Sequence, residues 1–365
     1  MGSVKDLTII EAPDKERSGR GRFFFSDRYS VFDWGKMPDD IQNKGASLCI
    51  ISAYLLEKLE EMGIKTHYLG VVEDNEVKKL MDIKTIPTSM EVSLVRVIKP
   101  QLPDGRIRLI RRNDLIPSLI RVIIPQVPYG CYDYSCYNHE QANFLIPLEV
   151  IYRNYLPEGS SVFKRLSDGQ LTIKDMGLTV HPVPGQKLDN PMLDFSTKLE
   201  TIDRYINPKE AKTIAGLSEH EFQEILRITG VIDNLISEET CKIGLVNEDG
   251  KVEFGFDADR QLILVDVLGT PDECRFTFEG LPVSKEVARI FYRNTAWFRD
   301  IEKAKKMSSI YWKEMVYVMP EPLPSRLCEL ISMLYQAVAN EMTGRVWFNG
   351  VPGLREILKE IKLFL

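Results

Sequence analysis

A turn near the middle of the chain has the residue types of a phosphate-binding site. An apolar, β-branched run that starts at Ile146 ends on Arg153, and a Pro/Gly turn then leads to Ser160 and Ser161. The planar guanidinium of arginine fits phosphate oxygens, and a glycine such as Gly159 lets backbone N–H groups approach an anion. The pattern is therefore typical of a phosphate site. An ordinary strand and turn with solvated charges is the alternative.

A second group of charged residues lies on a predicted β-hairpin. Asp249, Lys251 and Glu253 alternate with other residues, and the period of two in a strand places their side chains on one face. A turn at 257–260 returns the chain, so that Asp266 can lie on the neighbouring strand. Two carboxylates from paired strands suit a Mg²⁺ ion that bridges nucleotide phosphates. A solvated hairpin face is the alternative, because charge alternating with apolar residues is its usual sign.

The N-terminal region contributes two more candidate segments. Residues 18–22 (SGRGR) form a glycine-rich basic turn before a predicted strand, and such turns can cover nucleotide phosphates. Residues 26–36 (SDRYSVFDWGK) are dense in aspartate, arginine and serine. The pair Lys44-Gly45 then opens a predicted helix that ends at Gly63.

These side chains need a scaffold of sheets and helices. Residues 65–127 contain short runs of Val, Ile and Leu broken by Pro and Gly, which favours an antiparallel sheet over repeated βαβ units. A capping box at Ser218 and Glu221 predicts the start of a helix. We also predict one helical segment over 287–306 and another helix capped by Ser325.

Composition excludes several classes of protein. The 365 residues are 44% hydrophobic with a net charge of −6, which allows a sizeable core and about two lobes. A nucleic-acid-binding surface would need a basic stripe, which an acidic chain does not suggest. No apolar run approaches the roughly 20 residues that cross a bilayer. We therefore predict neither a nucleic-acid nor a membrane partner, and we leave the possibility of a homo-oligomer open.

The cysteines favour a reducing compartment. All six are scattered along the chain, and no secretory signal pattern precedes them, so we expect a cytoplasmic protein. Cys131-x4-Cys136-x2-His139 comes closest to a metal cluster. Zinc usually takes four ligands, and no second pair has matching spacing, so buried thiols and a loop histidine are the simpler interpretation.

Four stretches, in this order along the chain, resemble the phosphoribosylaminoimidazole-succinocarboxamide (SAICAR) synthetases. They are S-D-R-x-S-x-F-D from Ser26 with the later Lys44-Gly45; P-x-E-x3-R-N from Pro147 with the following turn, G-S and K-R; S-T-K-x-E from Ser196 with a later acidic residue; and D-x-K-x-E-F-G from Asp249, followed by Asp266 and Arg275. The ordered set is much more specific than any one motif.

The resemblance implies a reaction and its substrates. That family uses ATP and Mg²⁺ to join L-aspartate to the carboxylate of carboxyaminoimidazole ribonucleotide (CAIR) in purine synthesis. The carboxylate becomes an acyl phosphate, and the aspartate amine then displaces phosphate. By the family pattern, Arg153, Ser160 and Arg275 would hold the ribonucleotide phosphate with Asp249 near the ribonucleotide; Lys251, Asp33 and Lys44 would lie where the reacting groups meet; Glu253 and Asp266 would take Mg²⁺; and Arg20, Arg22 and the backbone near Leu145 would hold ATP.

The resemblance also implies an α+β fold with two lobes. Residues 1–146 would form a nucleotide-binding lobe of antiparallel strands, with an insertion at about 100–143 that ends in a Tyr/Cys-rich loop. Residues 147–365 would form a substrate- and metal-binding lobe with helices at its C-terminal end. The cleft between the lobes is the expected site.

Two segments depart from the family pattern. The N-terminal turn presents arginines as G-R-G-R where the family has lysines as G-K-x-K/R. The segment VDVLGTPDECR, residues 265–275, has Val267 where the family has glutamate. Arginine is not a neutral replacement for lysine at a phosphate. A non-catalytic nucleotide-binding relative and a small-molecule kinase therefore stay open as alternatives to the ligase.

Overall fold

The computed structural model describes residues 4–101, 132–200, 202–308 and 311–365. The strands in these ranges are β1 (Lys5–Glu11), β2 (Gly19–Phe25), β3 (Tyr68–Glu73), β4 (Glu76–Lys78), β5 (Ser89–Leu94), β6 (Phe144–Leu156), β7 (Gln186–Thr197), β8 (Tyr205–Ile206), β9 (Val246–Phe256), β10 (Leu262–Val265), β11 (Cys274–Phe278) and β12 (Leu281–Pro282). The α-helices are α1 (Lys44–Glu61), α2 (Ser161–Ser167), α3 (Pro208–Ile214), α4 (Glu219–Lys242), α5 (Glu286–Arg293), α6 (Ala296–Met307), α7 (Ser325–Thr343) and α8 (Leu354–Ile361).

The first lobe is a five-stranded antiparallel sheet in the order β1-β2-β5-β3-β4. Helix α1 covers one face, against which Phe23 and Phe25 are buried. The prediction of a helix that starts at Lys44 and stops at Gly63 is confirmed, and Gly63 adopts a φ of 79°. A side chain would strain that left-handed conformation, so glycine ends the helix there.

The second lobe is a seven-stranded antiparallel sheet with β6 and β9 at its centre. Along β9, Val252, Phe254 and Phe256 are buried, while the alternate residues face away from that core. Helix α4 packs behind this sheet and begins with the predicted capping box of Ser218 and Glu221. The predicted α+β architecture with antiparallel sheets is therefore confirmed.

The C-terminal helices differ from the prediction in two places. The single segment expected over 287–306 is wrong, because α5 and α6 are separate helices. The Thr295 side chain accepts a hydrogen bond from the Phe298 N–H at 3.2 Å and so caps a new helix. Ser325 does not cap α7; the cap position is Pro324, without a side-chain hydrogen bond.

Most of the predicted insertion lies outside the described residues. Gln101 and Asp133, which lie on either side of the undescribed residues 102–131, exchange backbone hydrogen bonds of 3.1 and 2.8 Å. Cys131 also lies outside the described residues, whereas Cys136 and His139 share one short 3₁₀ turn. In the described ranges, no group of three or more His, Cys, Asp or Glu side chains is placed to hold a metal ion. In the same ranges, the helices are all too short or too polar to cross a membrane.

Candidate functional site

The cleft face of the central sheet is set by the register of β6 and β9. Glu149 lies opposite Glu253, Ile151 opposite Lys251, and Arg153 opposite Asp249. Because side chains alternate along a strand, these residues share one face. All of them except Glu253 line a cavity of about 180 Å³, which is also lined by Tyr205, Asp272, Glu273, Arg275, Lys285 and Arg289. The structure thus brings four predicted residues to one cavity: Arg153, Asp249, Lys251 and Arg275.

Arginines dominate one end of this cavity. Arg153 is 3% exposed and donates to Asp249 at 3.3 Å and to Asp194 at 3.2 Å. Arg275 donates to the same Asp249 oxygen at 2.6 Å, and Arg165 forks onto Asp194. Three guanidiniums and two carboxylates leave this group with one positive charge. An added anion would balance it.

The turn after β6 supplies hydroxyls beside the arginines. Ser161 donates to the Tyr205 hydroxyl at 2.8 Å and accepts from Arg153 at 3.3 Å. Ser160, the predicted ligand, is buried and instead accepts the Val162 N–H as the cap of α2. The serine that contacts Arg153 is therefore the neighbour of the predicted one.

Lysine and glutamate side chains occupy the middle of the cavity. Lys251 donates to Glu149 at 2.8 Å and lies 3.3 Å from Glu273. Burial acts to lower the pKa of Lys251, but Glu273 and Glu149 raise it well above its usual value. Burial likewise acts to raise the pKa of Glu273, but Lys251 and Lys285 lower it to about 2. Both groups are therefore charged at neutral pH.

The two predicted metal ligands lie on neighbouring strands, as the hairpin pattern indicated. Glu253 is opposite Val265 in the ladder, and Asp266 follows directly. Asp266 adopts a φ of 68°, a conformation that non-glycine residues rarely hold outside functional or tight-turn positions. Glu253 accepts from Lys198, and Asp266 accepts from Lys5.

This donor set fits Mg²⁺ that is shared with a nucleotide. Mg²⁺ often uses one or two protein carboxylates and completes its shell with phosphate oxygens and water. Each carboxylate is now neutralised by a lysine, so a cation at Glu253 and Asp266 would replace those contacts. Lys5 and Lys198 would then be available to phosphate oxygens.

Lys5 was not predicted from the sequence. It is the first residue of β1 and reaches across from the first lobe to Asp266. Burial lowers the pKa of Lys5 to about 8, although Glu273 and Glu253 act to raise it. A lone lysine in a short polar N-terminal segment has no motif that would have identified it.

An apolar cluster adjoins the two carboxylates. Leu145, Ile263 and Val265 are buried together, with Val95 and Leu199 packed against them. The Leu145 N–H donates to the Arg96 carbonyl at 2.8 Å, so the backbone is fixed at this point. Since Val265 and Asp266 are consecutive, this apolar surface lies directly beside the carboxylates.

Arg20 and Arg22 are not brought to the cleft. They lie on the outer face of the first sheet, where both pair with Glu91 at 3.1 and 3.2 Å. That face forms a separate groove of about 400 Å³ with Phe24 and Val77. Alternation along β2 turns Gly21 inward between them, so that ATP bound to these arginines would lie on this outer face, away from the cleft.

Lys44 and Asp33 also do not line the cavity. Lys44 is fully buried and donates to Asp272 at 2.6 Å and to the Arg28 carbonyl at 3.3 Å. The Asp33 side chain is 87% exposed and pairs with Lys305 at 3.4 Å. Lys44 reaches the site through Asp272. Burial and Glu149 raise the pKa of the cavity residue Asp203 to about 6, and the charge of Asp33 adds to that rise.

Lys285 and Arg289 are cavity residues that the sequence prediction missed. They lie one turn apart, immediately before and within α5. Burial lowers the pKa of Lys285, while Glu273 acts to raise it. Lys285 and Arg289 are like charges four residues apart, a spacing that disfavours a helix unless another interaction stabilises it. That spacing was a sequence signal that could have identified them as site residues.

Gly250 lets the central strands approach closely beneath the cavity. A Cβ at Gly250 would lie 2.3 Å from the Tyr152 hydroxyl oxygen and 2.7 Å from Cys274 Sγ. We expect Gly250→Ala to lower the free energy of unfolding by about 1–3 kcal/mol, as overpacking usually does. Gly230→Ala, where a Cβ meets open space on α4, should instead be neutral or stabilising. Urea titration of both variants checks this pair, and equal stability would contradict the close approach.

Comparisons with known proteins agree on one family. A family model described as SAICAR synthetase matches residues 4–99 and 138–303, and so omits 100–137, within the segment interpreted as an insertion. A protein of Archaeoglobus fulgidus, provisionally named phosphoribosylaminoimidazole-succinocarboxamide synthase, is 45% identical over 362 residues, which cover 99% of each chain.

Solved structures share the fold. The SAICAR synthase of Saccharomyces cerevisiae, complexed with SAICAR, matches with a TM-score of 0.59 at 19% identity, over 95% of this chain and 94% of the yeast chain. A SAICAR synthetase in complex with ADP matches with a TM-score of 0.52 at 22% identity, over 88% of this chain and 99% of that one. From the family model and the whole-length relative, the chain belongs to the SAICAR synthetase family.

Proposed function

We propose that this protein is an ATP-dependent ligase that joins L-aspartate to the carboxylate of CAIR, giving SAICAR, ADP and phosphate. The observation that carries the proposal is the succession of groups along one cleft. A positively charged arginine cluster at one end is followed by Lys251 among carboxylates, and then by Glu253 and Asp266 beside an apolar surface. Two anionic substrates need the cations, and a nucleotide needs the metal-binding carboxylates and the apolar surface. Two of the structural neighbours are complexes, one with ADP and one with SAICAR, and these ligands support the proposal.

The ribonucleotide would occupy the arginine end. Arg153 and Arg275 would fork onto its phosphate, with the Ser161 hydroxyl beside them. The Oδ2 atom of Asp249 accepts a hydrogen bond from each arginine, which fixes the orientation of both guanidinium planes. Its Oδ1 atom would then accept hydrogen bonds from the sugar. The net charge of the cluster favours a bound anion.

The nucleotide would lie against the apolar cluster of Leu145, Ile263 and Val265. The Glu253–Asp266 pair would hold Mg²⁺, which when bound neutralises phosphate charge. Lys5 would contact the phosphates in the place first assigned to Arg20 and Arg22, because Lys5 is the cation from the first lobe that contacts these carboxylates.

The reacting groups would meet at Lys251. The CAIR carboxylate oxygen attacks the γ-phosphorus and ADP leaves, which forms an acyl phosphate. The aspartate nitrogen then attacks the acyl carbon, the phosphate leaves with the bonding electron pair, and the amine gives up a proton. Lys251 stabilises negative charge on the reacting oxygens, and Lys285 and Arg289 would bind the carboxylates of aspartate.

Phosphate release from ATP-Mg²⁺ by the purified protein tests the proposal, with CAIR and aspartate each omitted in turn. We expect release only when both are present, together with SAICAR formation. Release without aspartate would indicate a kinase or a partial reaction. A folded protein that binds nucleotide but releases no phosphate in any mixture would be the non-catalytic relative.

A paired substitution separates the two assignments of the ATP-binding cations. We expect Lys5→Ala to raise KM for ATP by roughly tenfold or more, since a hydrogen bond to a charged group contributes about 1.5–3 kcal/mol. Arg20→Ala, on the outer face, should leave KM for ATP within about twofold. Initial rates at varied ATP measure both, and the reverse order of effects would restore the arginine assignment.

A further inference from the structure

A buried tyrosine from the C-terminal helices reaches the wall of the cavity. Tyr335 lies on α7, beyond residue 303 where the family model match ends. Its hydroxyl donates to Asp272 Oδ1 at 2.7 Å, while Lys44 donates to Asp272 Oδ2 at 2.6 Å. We propose that Tyr335 is a positioning residue of the ligase, which acts through Asp272 on Lys285 and Arg289, the cations assigned to aspartate. This inference rests on the proposed function.

The three side chains form a closed unit. Tyr335 is 1% exposed, Lys44 is 0% and Asp272 is 7%. Each carboxylate oxygen of Asp272 has its own donor, one from the first lobe and one from α7. Burial acts to raise the pKa of Asp272, but Lys44 and Lys285 lower it, so the carboxylate stays charged. A buried charge that loses a donor must find another partner.

The segment that carries Asp272 also places the reacting lysine. Glu273, the next residue, lies 3.3 Å from Lys251, and both Glu273 and Cys274 donate their N–H groups to the Thr270 carbonyl in a tight turn. The backbone N–H of Lys285 donates to the Pro271 carbonyl at 3.3 Å. A shift of Asp272 therefore moves Glu273 and Lys285 with it.

The electrostatic consequence concerns the substrates rather than the fold. Without the tyrosine hydroxyl, Oδ1 of Asp272 is left without that donor in a cavity wall that also contains Lys285 and Arg289. Either cation could turn toward the unpaired oxygen and away from an anionic substrate. In the described ranges, no hydrogen bond or ion pair joins Tyr335 to Glu253 and Asp266 at the nucleotide end, or to Arg153 and Arg275 at the ribonucleotide end, so both ends should respond less.

The test is Tyr335→Phe, with Ser332→Ala as its matched control. Ser332 lies one turn earlier on α7 and donates to the Gln42 carbonyl at 2.6 Å, so it links the same helix to the first lobe but does not contact Asp272. We expect Tyr335→Phe to raise KM for aspartate by roughly tenfold, with smaller changes in KM for CAIR and ATP. Ser332→Ala should leave all three within about twofold.

The choice of KM separates positioning from stability. A variant that is merely less folded loses kcat per total protein but keeps its KM, because KM does not depend on how much enzyme is active. Unchanged KM for aspartate in Tyr335→Phe, or an equal rise for CAIR or ATP, would overturn the role of Tyr335 alone. No aspartate-dependent phosphate release by the wild type would overturn the proposed function, and the positioning role with it.

Discussion

Arg153→Ala is expected to lower kcat/KM for CAIR by roughly a thousandfold. Arg153 presents a planar fork at the buried end of the cavity, and in the proposed function its removal would cost two charge-assisted hydrogen bonds to the CAIR phosphate. At about 1.5–3 kcal/mol each, the loss is about 3–6 kcal/mol, or roughly 10²–10⁴-fold. Because the interaction is made in both the ground state and the transition state, most of the change should appear in KM. Initial rates at varied CAIR measure it.

The fold should survive this substitution. Asp194 keeps Arg165 and Asp249 keeps Arg275, so neither carboxylate becomes an uncompensated buried charge. Arg153→Lys is the informative control, because it keeps the charge and loses the fork. We expect it to lie between wild type and Arg153→Ala. An alanine variant with wild-type KM for CAIR would remove Arg153 from the phosphate site.

Strand periodicity correctly predicted where four of the candidate residues lie relative to one another. Asp249, Lys251 and Glu253 were placed on one face by alternation, and the turn at 257–260 was enough to bring Asp266 beside Glu253. The observed ladder, with Glu253 opposite Val265, confirms this arrangement. Local rules succeed here because one hairpin contains all four residues, and hairpin register depends on nearby sequence.

The missed contacts depend on segments far apart in the chain. Lys5 and Asp266 are 261 residues apart. Lys44, Asp272 and Tyr335 come from three different parts of the chain, and Lys44 and Tyr335 both donate to the Asp272 carboxylate. The amphipathic pattern of α7 predicted a packing helix, which it is, but that pattern does not identify what its buried hydroxyl contacts. The partner of Lys44 is also distant in sequence. We expected Lys44 to line the pocket, whereas in the structure it pairs with Asp272 and neutralises that carboxylate.

Arg20 and Arg22 lie where the composition of their motif did not indicate. The G-R-G-R motif has the composition of a phosphate turn, but these residues are inside β2 and not in a turn. Once they belong to a strand, alternation places both arginines on the same face as Glu91. The composition of the motif suggested phosphate-binding residues, whereas the strand determines the face on which their side chains lie.

Glu253→Gln is expected to weaken Mg²⁺-dependent ATP use by roughly a hundredfold or more. Changes in groups that only support a metal ligand already cost about 10–100-fold in affinity, and this change removes a ligand charge in a buried position. The Glu253 side chain is 5% exposed, so water cannot readily replace it. kcat/KM for ATP should fall, and the Mg²⁺ concentration for half-maximal rate should rise.

Two comparisons make this second test specific. Glu279→Gln makes the same chemical change at an exposed carboxylate that pairs with Arg355, and it should leave the Mg²⁺ dependence unaltered. Asp266→Asn should resemble Glu253→Gln, and the double variant should lose much less than the product of the two single losses, because in the proposed function both carboxylates would serve one ion. Strictly multiplicative losses would mean that the two groups act independently. An unchanged Mg²⁺ dependence in Glu253→Gln would place the metal elsewhere and leave Glu253 as the partner of Lys198.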